Sequence, residues 1–237
     1  RSYVVTYNYN SATGNNSTTN ATSNYIFNGW YKESSFTNQV SSSSIYNTVG
    51  NSTIYAKWTK ASITLPTPTR TGYTFSGWYS DSSFTNKVGD GGSSYTPTSN
   101  QTLYAKWTDT TKPTISLSPN TQATYVSGGK AVTVTLADSG SGLKASQPIY
   151  YAWSTSNTTV PSSWSSVTST NAAGAKSATV TVPATSSASL TGTYYLWIKA
   201  GTLSDVSGNT SNQVVSALFK FDNIKPTGTI IFNGQKG

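Results

Sequence analysis

Apolar and polar residues alternate with a period of two along residues 3–7, 62–65, 131–136, 178–182 and 214–221. β-Branched and aromatic residues fill these stretches, and Gly, Pro, Asn and Ser bound them. This is the pattern of strands that bury one face. No segment keeps a helical period over ten or more residues, so the expected fold is mostly β. Residues 10–24 carry Ser, Thr, Asn and Gly and no large apolar side chain, and they read as a long loop.

The apolar positions of the first half are duplicated. Gly29-Trp30-Tyr31-Lys32-Glu33-Ser34-Ser35-Phe36-Thr37-Asn38-Gln39-Val40 returns as Gly77-Trp78-Tyr79-Ser80-Asp81-Ser82-Ser83-Phe84-Thr85-Asn86-Lys87-Val88. A closing phrase, Ile54-Tyr55-Ala56-Lys57-Trp58-Thr59, returns as Leu103-Tyr104-Ala105-Lys106-Trp107-Thr108. Trp30 and Trp78 are 48 residues apart and Trp58 and Trp107 are 49, so a single-residue insertion left both phrases whole. What repeats is aromatic and small residues at fixed spacing, the specification of a core. Trp30, Trp58, Trp78 and Trp107 are therefore expected to be core residues of two separate minidomains, with a sugar-stacking platform as the competing reading.

Composition narrows the chemistry. The chain of 237 residues has no Cys, Met or His, so zinc sites, Cys/His nucleophiles and Ser-His-Asp triads lack their required parts. Seven acidic residues are spread over the chain, and no spacing favours a glycosidase-like carboxylate pair. A non-enzyme is expected. The net charge of +8 reflects few acids rather than a basic cluster, which argues against nucleic-acid binding. Charged residues are only 9% of the chain, against about 25% in an ordinary globular protein. Such a polar, weakly charged, cysteine-free surface suits an extracellular bacterial protein. No run of 18 apolar residues exists and Arg1 does not open a signal peptide, so the expectation is a piece of a longer exported protein without membrane insertion of its own.

Residues 65–79, Leu-Pro-Thr-Pro-Thr-Arg-Thr-Gly-Tyr-Thr-Phe-Ser-Gly-Trp-Tyr, with Leu103 to Thr108, resemble the internalin B-repeat, also called the Listeria/Bacteroides repeat. The resemblance covers about residues 3–108; the first copy lacks the Leu-Pro-Thr-Pro lead-in, and the second lacks an opening strand. It implies small β-grasp-like units, here residues 1–59 and 60–108, within a multi-module protein of the bacterial cell surface.

Asp109-Thr110-Thr111-Lys112-Pro113-Thr114 is echoed 113 residues later by Asp222-Asn223-Ile224-Lys225-Pro226-Thr227. That interval suits an immunoglobulin-like sandwich over 109–222, with 223–237 opening a further module or tail. Alternation puts Val132, Val134 and Leu136 on one face, Ile149, Tyr151 and Trp153 on another, and Tyr194, Leu196 and Ile198 on a third. Residues 192–200 and 205–209 are similar to the late strand and turn of bacterial Ig-like surface domains. The expected whole is an elongated rod serving as stalk or spacer, monomeric within its longer chain, with adhesion to glycans or surface proteins as a further role.

Tyr150, Trp164, Tyr195 and Trp197 fall out of phase with that core or in a loop, so they are the candidate exposed ligand-binding aromatics, against packing on a neighbour. Carbohydrate recognition through them is the alternative function. Lys112, Lys130 and Lys220 with Asn209 and Asn212 lie near strand ends, where an isopeptide bond would need Asp138 or Asp222 beside it. Asp138, Asp205, Asn209 and Asp222 offer hard oxygens for calcium, but turn-forming roles are the expectation and no cofactor is assigned.

Overall fold

The computed structural model describes residues 2–8, 10, 18–41, 53–185 and 190–228; the readings of residues 11–17 and 229–237 lie outside them. The described residues are strands, turns and loops, with no helix. The chain divides into two compact units, residues 1–108 and 109–237.

The first unit contains β1 (Ser2–Asn8), β2 (Thr18–Tyr31), β3 (Tyr55–Lys60), β4 (Ile63–Thr64), β5 (Tyr73–Tyr79), β6 (Lys87–Gly89), β7 (Ser94–Tyr95) and β8 (Gln101–Asp109). Six of them form one sheet in the order β3-β2-β1-β8-β5-β6, while β4 pairs with β7. The copies at 1–59 and 60–108, expected as separate minidomains, are hydrogen-bonded into one sheet. The second copy runs from Lys60 almost directly into Ile63 and has no opening strand of its own. β1 supplies it, running parallel to β8 with Val5 opposite Gln101 and Asn8 opposite Tyr104. Val5 and Tyr7, on one face of β1, pack with Leu65, Trp78, Leu103 and Ala105 in a single core.

The loop expected over 10–24 is also corrected, because Thr18–Asn24 form the first half of β2, antiparallel to β1. A strongly patterned neighbour offers this Thr-rich segment a full ladder of partners, and threonine suits an extended backbone.

The second unit contains β9 (Thr114–Ser118), β10 (Gln122–Val126), β11 (Val132–Ala137), β12 (Pro148–Ser154), β13 (Ser165–Thr168), β14 (Ser177–Val182), β15 (Thr191–Ile198), β16 (Val214–Val215) and β17 (Phe219–Asp222). One sheet has the order β14-β11-β9; the other has β10-β17-β15-β12-β13, with β16 alongside β15. A single core draws on both sheets, and the assigned faces are the ones that fill it. Val132, Val134, Leu136, Ile149, Leu196 and Ile198 are fully buried, and Tyr151, Trp153 and Tyr194 pack against them partly buried. Trp153 meets Phe219 and Phe221 edge-on at 5.1 and 5.5 Å, joining β12 to β17 without a disulfide.

Candidate functional site

The two duplicated phrases meet physically. In the first copy Tyr31 and Phe36 pack edge to face at 5.6 Å, and in the second Tyr79 and Phe84 do so at 5.7 Å. The lysine of the closing phrase lies over both rings each time: Lys57 at 5.2 and 5.8 Å, Lys106 at 5.1 and 5.9 Å. Phe36 and Phe84 are held at φ of 59° and 58°. A carboxylate stabilises each of these turns. Glu33 accepts the backbone N–H of Thr37 and Asn38, and Asp81 accepts those of Thr85 and Asn86. With the Ser83 hydroxyl donating as well, the Asp81 carboxyl is held well below the usual carboxylate range. These repeated polar residues thus fix a loop.

The tryptophans of the two copies differ sharply. Phe75 stands 5.5 Å from Trp78 and 5.4 Å from Trp107, and Phe27 stands 5.6 Å from Trp30 and 5.0 Å from Trp58, so both copies build the same aromatic triad. Trp78 is wholly buried and Trp107 partly, as expected, but Trp30 and Trp58 remain 43% and 54% exposed. The core reading is therefore corrected for the first copy. Trp78 is covered by Leu65 and by Tyr7, whose ring lies 4.9 Å away, and its indole N–H donates to the carbonyl of Pro66 at 2.8 Å. The first copy has no Leu-Pro-Thr-Pro lead-in, and β3 sits at the sheet edge where its counterpart β8 has β1 beside it. The result is an exposed apolar surface of Phe27, Trp30 and Trp58, joined through the Phe27 ring and each more than a third exposed.

The family model of the Listeria-Bacteroides repeat domain matches residues 2–57 and 59–106. The first unit is a pair of Listeria-Bacteroides repeat domains. No curated protein matches the chain. The matched spans run in sequence order, whereas the Listeria-Bacteroides repeats here exchange an element: the opening strand of the first completes the core of the second.

In the second unit the four candidate aromatics do not form one surface. Trp197 is 1% exposed, with its indole N–H donated to the Ser156 carbonyl, and Tyr195 is half-buried. The out-of-phase argument fails at Trp197 because that face of the strand is covered too, with the loop that carries Ser156 reaching the indole. Tyr150 is exposed and Trp164 half-buried, and Lys199 bridges them at 5.6 and 5.9 Å from their rings. Trp164 also lines a cavity of about 620 Å³ with Tyr151 and Trp153.

The charged candidates sort differently. Lys112 donates to the Asn212 side chain at 3.0 Å, yet both are exposed and no carboxylate joins the pair, so the burial and acid an isopeptide bond needs are missing there. Lys220 lies over the ring of Tyr125 instead. Asp222 is exposed and caps Ile224. Asp138 and Asp205, by contrast, come together with Asp109, and all three are buried at 3%, 0% and 4% exposure. The expected turn roles are present. Asp138 accepts the N–H of Gly142, Asp205 accepts the backbone and side-chain N–H of Asn209, and Asp109 accepts the N–H of Thr111 and Ser141. Burial alone would raise the Asp109 carboxyl, but those backbone donors outweigh it and hold it below its ordinary value. In the sequence Asp109 reads as a linker residue, and nothing there distinguishes it from its echo Asp222.

Proposed function

We propose that the chain is a non-catalytic, tension-bearing segment of a bacterial cell-surface protein, an extracellular spacer that holds other parts of its parent away from the cell. In this reading the repeat pair is β-grasp-like and the second unit is an immunoglobulin-like sandwich. The family supports a surface protein, since Listeria-Bacteroides repeats typify such proteins. One observation carries the mechanical part. In each unit a strand near the start of the unit lies parallel and hydrogen-bonded to a strand near its end: β1 with β8, and β10 with β17. Tension on the chain ends then drags adjacent parallel strands past one another, loading every bond of the ladder at once. A ladder opened from one end breaks bond by bond and yields at lower force.

The chain has no cysteine, so attachment points can be chosen freely. Pulled between its termini, the first unit should yield at higher force than when pulled through Asn24→Cys and Ala61→Cys, which peel β3 from β2 starting at the Tyr25–Lys60 pair. Equal forces in the two geometries would count against the proposal.

The exposed Phe27–Trp30–Trp58 surface favours a second reading, glycan adhesion, because flat accessible rings suit pyranose faces. Saturable quenching of tryptophan fluorescence by a cell-wall polysaccharide, lost in Trp30→Ala with Trp58→Ala, would support it. Loss with Trp164→Ala instead would move the site to the second unit.

A further inference from the structure

We propose that the second unit binds one calcium ion between Asp109, Asp138 and Asp205. The three residues arrive from separate places, the end of β8, the turn after β11 and the loop after β15, and one carboxylate oxygen from each lies within 4.8 Å of the other two. Two oxygens bound to one calcium at 2.3–2.6 Å can stand up to about 5 Å apart, so the spread fits a single ion. Buried like charges this close repel unless a cation or a proton joins them. Among the described residues no lysine or arginine makes an ion pair with any of the three, and the nearby Lys176 ammonium is held by the Gly140 carbonyl.

A second observation points to a ligand. Asp138 is 97% buried, and although its Oδ2 accepts from Gly142, its Oδ1 has no hydrogen-bond partner. Oxygens with no partner are rare in protein interiors, because leaving one there forfeits the hydration it had in water. The turn takes Oδ2 of this carboxylate and leaves Oδ1 with no donor of its own. Backbone donors to Asp109 and Asp205 hold the remaining carboxylates in place, so the site is built before an ion arrives. An all-oxygen, multiply anionic donor set selects a hard cation, and calcium, which accepts irregular geometry and sheds water readily, fits a buried site better than magnesium does. The same linkage makes Asp109, the first residue of the unit, part of its core.

Calcium added to the metal-stripped whole chain should bind at a ratio of one, in the roughly 0.1–1 mM range typical of extracellular modules, by titration calorimetry. It should raise the melting temperature of the second unit, leave that of the first unchanged, and do so more than magnesium at equal concentration. Asp138→Asn should abolish the heat and the shift. The wild-type titration decides the matter even if that variant folds poorly: no heat and no shift at 10-fold above about 1 mM calcium would overturn the site, as would an equal shift in folded Asp138→Asn.

Discussion

Trp78→Ala should destabilise the first unit by about 3–5 kcal/mol, while the equivalent change in the other copy, Trp30→Ala, should cost less than about 1 kcal/mol. Sequence treats the two residues alike, since each follows Gly and precedes Tyr in the same phrase. Their surroundings separate them. Removing the Trp78 ring empties a site enclosed by Tyr7, Phe75 and Leu65, and strands the Pro66 carbonyl that its N–H satisfied. Removing the Trp30 ring mostly exposes less apolar surface to water. Urea denaturation of the two variants, followed by circular dichroism, measures both costs. Equal losses would mean that Trp30 is enclosed as Trp78 is.

Val5→Asp should prevent the second repeat from folding, although it lies outside that repeat in sequence. Val5 is fully buried among second-copy residues, and a carboxylate there would be desolvated with nothing to pair it, a cost of several kcal/mol that exceeds what a small unit can lose. Val4→Asp, one residue away on the opposite face of β1 and only half-buried, is the control and should leave a cooperative transition. By the same argument residues 61–108 alone, a full copy of the shared phrases, should not show one. A cooperative melt of that fragment would return β1 to a purely local role.

Much of the architecture was legible because strands with one buried face alternate visibly. Val132, Val134 and Leu136 needed nothing more, and the two copies announced themselves through Trp, Tyr and Gly at fixed offsets. What escaped the sequence was the partner of each element. Alternation tells which side of β1 is apolar and not whose core that side enters, so the exchange between repeats, and with it the exposure of Trp30 and Trp58, could not be read. Trp197 failed for a related reason: the rule assumes one wet face, and β15 lies between neighbours with both faces covered at that point. The carboxylate cluster joins residues 109, 138 and 205, which only the folded chain brings together. Each on its own shows the ordinary signature of a turn.

The force–extension record of the whole chain tests most directly the claim that each unit is closed by a parallel pair of strands, one near its start and one near its end. It should contain two abrupt unfolding steps, one per unit, each lengthening the chain by about 35 nm, as expected when roughly 110 residues at about 3.3–3.6 Å apiece are released together. Three steps, two of them near 15–20 nm from repeats giving way separately, or a gradual low-force extension without steps, would contradict it.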